Sequence, residues 1–187
     1  MKKLSVSLKE SRFVDLINKK FTGEIRKEDM IGNLQRLKPV DIGTSVLWAD
    51  DDLCVNNKYL FTFDEVTNML KDSEWRLPTV SEVKELQKYK KEYRNGEYIF
   101  TNNGTYLTFY PHGFIYDPLP SKETAQKSDI VMGWTGDVSK YNNNYICTYI
   151  INRFSITGRN ISFGISFGTT NVKSKSFLLS VRLVKDR

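Results

Sequence analysis

The sequence predicts an α+β fold in which helices come first and strands follow. Three helix start signals lie in the first half of the chain, where a Ser or Thr is followed three residues later by Glu: Ser7–Glu10, Thr62–Glu65 and Thr79–Glu82. This spacing lets the hydroxyl and the carboxylate each bond the other residue's backbone amide, which is the capping box that opens a helix. After about Gly96, helical periodicity gives way to runs of β-branched and aromatic residues separated by turn residues. Helices followed by strands are typical of the segregated α+β class.

Residues 1–39 are predicted to form a helical arm that serves as an anchor or in oligomerisation. Two apolar stripes at helical spacing support two helices: Phe13, Leu16, Ile17 and Phe21, then Met30, Ile31, Leu34 and Leu37. Pro39 ends the second helix because proline supplies no amide for a helical hydrogen bond. Such an arm either packs on its own domain or docks on a partner, and both alternatives stay open because the stripes must be buried somewhere.

The segment Trp75–Thr79 predicts a short strand that stops at a capped helix. Pro78 removes a backbone donor and holds the residue before it extended. Thr79 then takes the N-cap position, with Glu82 as its capping-box partner. Behind the cap, apolar residues at helical spacing give the helix one apolar face that reaches Tyr93: Val83, Leu86, Tyr89 and Tyr93.

Strands are predicted at Ser45–Ala49 and through the second half of the chain. Asn103–Gly104 is a hairpin turn signal between Tyr98–Phe100 and Tyr106–Tyr110. Residues 111–129 are interpreted as a long loop, because they contain three prolines. The later strand candidates are Ile130–Trp134, Tyr145–Asn152, Phe154–Thr157, Ile161–Phe167 and Phe177–Val184. In the fourth of these, large apolar residues alternate with Ser and Gly, which predicts a half-buried strand.

Composition excludes several classes of protein. The 187 residues, 40% of them apolar, suit one packed domain with an appendage. Cys54 and Cys147 are too few for a disulfide framework or a four-ligand zinc site, and we expect no metal and no cofactor. The basic start Met1–Leu4 is interrupted before a signal peptide's apolar region forms, and no run reaches the roughly 18 apolar residues of a membrane span. We therefore expect a protein that stays where it is made or leaves by cell lysis.

The net charge of +6 is unevenly distributed. Residues 1–39 carry ten Lys or Arg against five Asp or Glu, residues 40–129 carry ten against fifteen, and residues 130–187 carry eight against two. Basic ends suit an acidic partner surface or nucleic acid. The chain lacks zinc-finger spacing and an RNP-like aromatic pair, and its basic residues are dispersed, which argues against nucleic acid.

Six segments, in this order, resemble the Fibrobacter succinogenes major paralogous domain: Val40–Ala49, Phe61–Val66, Trp75–Glu82, Phe109–Phe114, Gly133–Thr135 and Ser180–Val184. The resemblance covers residues 40–187 and implies a C-type-lectin-like domain, with two helices flanking a small twisted antiparallel sheet and long loops. It also implies a set of fold-defining side chains, namely Trp48, Trp75, Arg76, Leu77, Pro78, Thr79, Glu82, Trp134 and Arg182.

Proteins of that family are common in Bacteroidetes and their phages, as secreted proteins, adhesins and virion components. With no export signal in view, the resemblance favours a non-enzymatic bacteriophage virion component, such as a decoration, fibre or tail protein, assembled in the bacterial cytoplasm. We expect an oligomer or a part of a larger assembly, whose partners are other virion or surface proteins, or a host-surface protein or glycan. A bacterial surface adhesin or ligand-binding protein is the alternative.

Members of this family vary and bind ligands in the segment between Trp134 and the terminal strand. The resemblance therefore places ligand or partner contacts at Tyr141, Asn142, Asn143, Asn144, Tyr145, Tyr149, Arg153, Arg159, Asn160 and Asn171. Tyr offers rigid contact area at small entropic cost, and Asn both donates and accepts hydrogen bonds, as in antibody paratopes. Locally, residues 141–145 are predicted to form an Asn-rich β-turn, and such a turn is compatible with a contact surface.

No catalytic residue is predicted. Asp50–Asp52 lacks the alternating ligand spacing of a calcium loop and is interpreted as a solvated loop. His112, between Pro111 and Gly113, is interpreted as a structural turn residue, because no Ser/His/Asp or Cys/His pairing has a recognisable spacing. The remote alternative is an enzyme of the formylglycine-generating type, which would bring the two cysteines together around copper.

Overall fold

The structure, a computed structural model, describes residues 27–116, 125–126, 129–155, 161–171 and 177–187. Of these residues, 45% lie in strands and 17% in helices. The predicted C-type-lectin-like arrangement is therefore wrong, because the described chain forms three sheets and three short helices where two helices flanking one small sheet were expected. The first predicted helix of the arm, with its Ser7–Glu10 box, lies outside the described residues.

The helices are α1 (Lys27–Leu34), α2 (Phe63–Leu70) and α3 (Val80–Glu85), the last followed by a 3-10 turn at Leu86–Lys88. Both predicted capping boxes within the described residues are confirmed. Thr62 accepts from the Glu65 amide and Thr79 from the Glu82 amide, while each glutamate carboxylate bonds the threonine amide in return. In the part of the chain that the structure describes, no helix has the length and apolar character needed to cross a membrane.

The strands, in chain order, are β1 (Pro39–Val40), β2 (Leu47–Ala49), β3 (Leu60–Phe61), β4 (Lys90–Arg94), β5 (Glu97–Asn102), β6 (Thr105–Phe109), β7 (Phe114–Tyr116), β8 (Ala125–Gln126), β9 (Val131–Val138), β10 (Tyr145–Ser155), β11 (Ile161–Asn171), β12 (Phe177–Ser180) and β13 (Val184–Lys185). One sheet has the order β1-β2-β13 and another β4-β5-β6. The largest runs β11-β10-β9-β12-β7-β8, and β3 also pairs with β12.

The predicted continuation of the third helix to Tyr93 is wrong. Asn95 and Gly96 both have positive φ, 54° and 86°, as a type I′ hairpin turn requires. This turn folds β4 onto β5, so residues 90–94 form a strand despite their helical spacing. The predicted turn at Asn103–Gly104 is confirmed, with φ of 46° and 81°, and joins β5 to β6.

Other predicted boundaries also move toward β structure. The predicted long loop at 111–129 contains β7 and β8. The two strands expected before and after residue 153 are one continuous strand, β10, which pairs with β11 along its whole length. The alternation expected in β11 is present, since Phe163 and Ile165 are buried and Ser166 is exposed. Long hairpins and added strands together replace the small sheet that was expected.

The Trp75–Thr79 segment connects α3 to the β1-β2-β13 sheet. Arg76 exchanges two backbone hydrogen bonds with Val184, of 2.8 and 2.9 Å. Its guanidinium donates to both carboxylate oxygens of Glu82, at 2.9 and 2.7 Å, and to Asp186 at 2.7 Å. In place of the predicted strand before Pro78, the structure has a single bridge between Arg76 and Val184. The Arg76 side chain is bound by Glu82, the same residue that caps α3.

Two buried clusters form the core. One packs around Trp48 and Phe109 between α3, the β4-β5-β6 sheet and the β10-β11 hairpin. The other packs around Trp75 and Trp134 and includes Leu34 of α1. The indole N–H of Trp48 donates to the Thr44 hydroxyl at 2.9 Å, and that of Trp134 donates to the Phe61 carbonyl at 2.8 Å. Both tryptophans are therefore buried with their polar atoms satisfied.

Candidate functional site

The turn between β9 and β10 is fixed by its own hydrogen bonds. The Ser139 amide donates to the Tyr145 carbonyl at 2.7 Å, and the Tyr145 amide donates to the Asn142 carbonyl at 2.9 Å. The Asn142 side chain accepts from the Asn144 amide at 2.9 Å. The predicted Asn-rich turn is present, and the bond from the Asn144 amide to Asn142 is an Asx hydrogen bond that forms with none of the turn residues at positive φ.

This turn presents unusual exposed surface. Tyr141 is 98% exposed and Val138 is 49% exposed, and the three asparagines between Tyr141 and Tyr145 are exposed as well. Asn171 lies across the ladder from Tyr145 and brings a further amide to the same end of the sheet. We call Val138, Tyr141, Asn142, Asn143, Asn144 and Asn171 the turn surface. Two of the four large apolar side chains exposed within the described residues belong to it.

The other predicted contact residues lie elsewhere. Tyr149 is fully buried, and its ring covers Gly133 so closely that a Cβ there would lie 2.2 Å from Tyr149 Cζ. Arg153 lies eight residues beyond Tyr145 on β10, or about 26 Å away at the rise of a strand. It pairs with Asp129, and its guanidinium carbon lies 4.7 Å from the centroid of the Tyr93 ring. Arg159 and Asn160 lie outside the described residues. The predicted set is therefore not one site.

A second polar cluster, which the sequence did not predict, is centred on a buried ion pair. Arg182 is fully buried, and its Nε donates to Asp52 Oδ1 at 2.8 Å. Its other nitrogens donate to the carbonyls of Ala49, at 2.9 Å, and Thr108, while its guanidinium carbon lies 4.8 Å from the Phe109 ring centroid. Each of the three guanidinium nitrogens therefore has an acceptor, and Arg182 links the loop at Asp52 to the end of β2 and to β6.

Asp52 also binds the single histidine of the chain. His112 Nε2 lies 3.1 Å from Asp52 Oδ2, and its ring stacks on Tyr59 with centroids 4.2 Å apart. The solvated-loop interpretation is wrong for Asp52, which is 2% exposed, although Asp50 and Asp51 are exposed. We call Arg182, Asp52 and His112 the ion-pair centre.

Sequence spacing could not reveal this centre. Asp52 is 130 residues from Arg182 and 60 from His112, so only the tertiary fold brings them together. One signal was available: Arg182 interrupts an apolar run between Val181 and Leu183, all three of which are buried. A charged residue in such a run predicts a buried partner of opposite charge.

Several ionisable groups respond to burial and to their neighbours. Burial raises the pKa of Tyr98 to about 12, and burial also raises the pKa of Tyr149. Burial raises the pKa of Cys147, with Asp137 adding to the effect. Burial opposes ionisation of Glu82, but the Arg76 guanidinium and the Thr79 amide outweigh it and hold the pKa of that carboxyl below its usual value. None of these groups lies in the turn surface.

The cysteines and acids do not assemble a recognisable metal site in the part of the chain that the structure describes. Both thiols are free and half-buried. Cys54 lies beside Tyr59, whereas Cys147 lies near Asp137. No group of three or more His, Cys, Asp and Glu side chains there is placed to hold a metal ion.

Comparisons of the chain with protein-family models, with curated proteins and with solved structures found no match. The resemblance carried by the six sequence segments therefore stays a prediction.

Proposed function

We propose that this protein is a non-enzymatic binding module that contacts its partner through the turn surface. The observation that carries the proposal is the 98% exposure of Tyr141 on a turn whose backbone is fixed by internal hydrogen bonds. The Tyr141 side chain is large and amphipathic with few rotatable bonds, and its backbone is already fixed, so binding costs little entropy, while neighbouring amides supply adaptable hydrogen bonds. The ligand classes that suit this chemistry are proteins and glycans.

The surroundings of the two cysteines argue against the formylglycine-generating-type alternative. A formylglycine-generating-type enzyme needs a pair of thiols that act on one metal. Here each thiol has a different acidic or phenolic neighbour, and no disulfide links them. Titration of both thiols in the folded protein tests this point, because a thiol pair that binds copper would favour the enzyme alternative.

For the biological setting we propose a bacteriophage virion component, with a bacterial surface adhesin as the alternative. The six sequence segments and their order support this setting. The predicted lectin-like fold does not support it, because that prediction is wrong. Mass spectrometry of phage particles and of the cell envelope from the organism that encodes the chain separates the two settings. Recovery in particles supports the virion proposal, and recovery only in the envelope supports the adhesin.

The contact role of the turn surface is tested by photo-crosslinking. A benzoylphenylalanine replaces Tyr141 in one variant and Tyr106 in the control, because Tyr106 is also exposed, at 62%, but lies on β6. We expect a discrete crosslinked species in the producing organism with the probe at Tyr141 and none with the probe at Tyr106. Equal or absent crosslinking from both positions contradicts the proposal.

A further inference from the structure

Tyr59, Tyr110 and His112 form a second, partly exposed cluster, which we call the aromatic cluster. The His112 and Tyr110 ring centroids are 6.1 Å apart, and Tyr59 stacks on the histidine. The His112 amide donates to the Tyr110 carbonyl at 3.0 Å, in a tight turn around Pro111. Tyr59 comes two residues after Asn57 in a turn at Asn56–Asn57, where both φ values are positive. The three rings are therefore held by short, constrained segments.

Acidic groups surround the aromatic cluster. Cys54 raises the pKa of Tyr59 most strongly, and Asp51 and Asp52 add to that shift. Burial raises the pKa of Tyr110, and Glu97 and Asp51 raise it further. On the buried side of these rings, Arg182 and Asp52 neutralise each other. Asp51, which precedes Asp52 in the chain, is exposed, and its carboxylate favours a cation from outside.

Hydrogen bonding sets the tautomer of His112. A carboxylate only accepts, so His112 Nε2 donates to Asp52 Oδ2, 3.1 Å away. In the neutral imidazole the Nδ1 atom is then an acceptor. The structure shows no donor for this Nδ1 among the described residues. The aromatic cluster therefore offers ring faces, an imidazole acceptor and nearby carboxylates, all of which attract a cation that carries N–H groups.

We propose that the aromatic cluster binds a lysine or arginine side chain of a partner protein. Charge complementarity indicates a cation as the occupant, because the exposed Asp51 adjoins Asp52, whose carboxylate contacts the His112 ring. Anions are repelled by the same carboxylates, and a purely apolar group would leave the Nδ1 acceptor unpaired. This site shares no residue with the turn surface, so it stands independently of the proposed function.

The test uses the single histidine as a reporter. Nα-acetyl-lysine methylamide is titrated into the full chain while the Cε1–H signal of His112 is followed by NMR. We expect a saturable shift with a millimolar dissociation constant, as a single exposed cation contact gives. The matched uncharged compound, Nα-acetyl-norleucine methylamide, should give no saturable shift. No saturation by the lysine compound at about 50 mM, or equal binding of both compounds, overturns the proposal.

Variants locate the binding. Tyr59→Leu and Asp51→Asn should each weaken the lysine compound at least about 3-fold, while the exposed control Tyr106→Leu leaves it unchanged. Asp51→Asn keeps the acceptor that the Asp52 amide uses, so it tests charge in a folded protein even where Tyr59→Leu impairs folding. Tetramethylammonium has no N–H group. If it binds as tightly as the lysine compound, or if Asp51→Asn has no effect, the proposed recognition is wrong.

Discussion

The ion-pair centre and the turn surface use polar residues in opposite ways. In the centre, Arg182 has no exposed surface and bonds one carboxylate and two carbonyls. In the turn surface, Tyr141 is almost completely exposed and only its backbone is held. Polar groups that have exchanged water for protein partners stabilise the fold they cross-link, whereas polar groups still in water keep their capacity to bind something else. We therefore expect stability and partner contact to be separable in this protein.

The largest effect is expected from Arg182→Met. The substitution leaves Asp52 buried without its cation, which costs about 3–5 kcal/mol in comparable buried pairs. Urea denaturation followed by fluorescence measures the free energy of unfolding. The double variant Arg182→Met/Asp52→Leu should recover part of the loss, because it removes the unpaired charge. A loss below about 1 kcal/mol in the single variant would show that the centre does not stabilise the fold.

A smaller loss is expected from Gly133→Ala. The new Cβ would lie 2.2 Å from Tyr149 Cζ, so the buried ring must move, at a cost of about 1–3 kcal/mol. Gly136→Ala on the same strand is the matched control, because its Cβ meets nothing closer than 3.6 Å. Thermal and urea unfolding of both variants check the difference. Equal stability of the two variants would contradict the packing of Tyr149 on Gly133.

Glu82→Gln should cost about 1–2 kcal/mol at neutral pH, because it removes the charged partner of Arg76. The ion pair lowers the pKa of Glu82 in the folded state, so its stabilisation is present above the unfolded pKa of about 4.3 and is lost as the pH falls toward the lower folded pKa. As the pH falls, the free energy of unfolding should therefore decrease less for Glu82→Gln than for the wild type. Unfolding free energies from pH 7 to pH 3 measure this, and parallel curves for wild type and variant would contradict it.

The smallest effect on stability is expected from Tyr141→Ala, because the side chain is exposed and contributes almost no buried area. The free energy of unfolding should stay within about 0.5 kcal/mol of the wild type. Chemical denaturation checks this value. A loss comparable to that of Gly133→Ala would show that the turn surface is part of the fold's stability.

Local sequence signals predicted local structure well. The capping boxes at Thr62 and Thr79 and the hairpin turn at Asn103–Gly104 depend on residues within a few positions of one another, and the structure confirms them. The helical spacing that extended to Tyr93 was misleading, because the type I′ turn at Asn95–Gly96 pairs that stretch with β5. Tertiary pairing outweighed a periodicity that a short segment fits by chance.

Long-range features could not be predicted in the same way. In the sequence, Asp52 is the last of three consecutive aspartates in a loop. Only its contact with Arg182, 130 residues away, explains why it is buried. The prediction of the fold class was wrong for a related reason. The number of strands depends on hairpins such as β10-β11 and on short strands within the predicted long loop, and both are decided by partners distant in sequence.

The proposal that stability and partner contact are separable is tested most directly by the binding of Tyr141→Ala to an array of glycans and proteins. Wild type, Tyr141→Ala and Tyr106→Ala are compared at equal folded concentration, because both tyrosines are exposed. We expect at least about 10-fold weaker binding for Tyr141→Ala and unchanged binding for Tyr106→Ala, as truncation of an aromatic contact residue gives. Equal binding by wild type and Tyr141→Ala, to ligands that both recognise, would contradict a contact role for the turn surface.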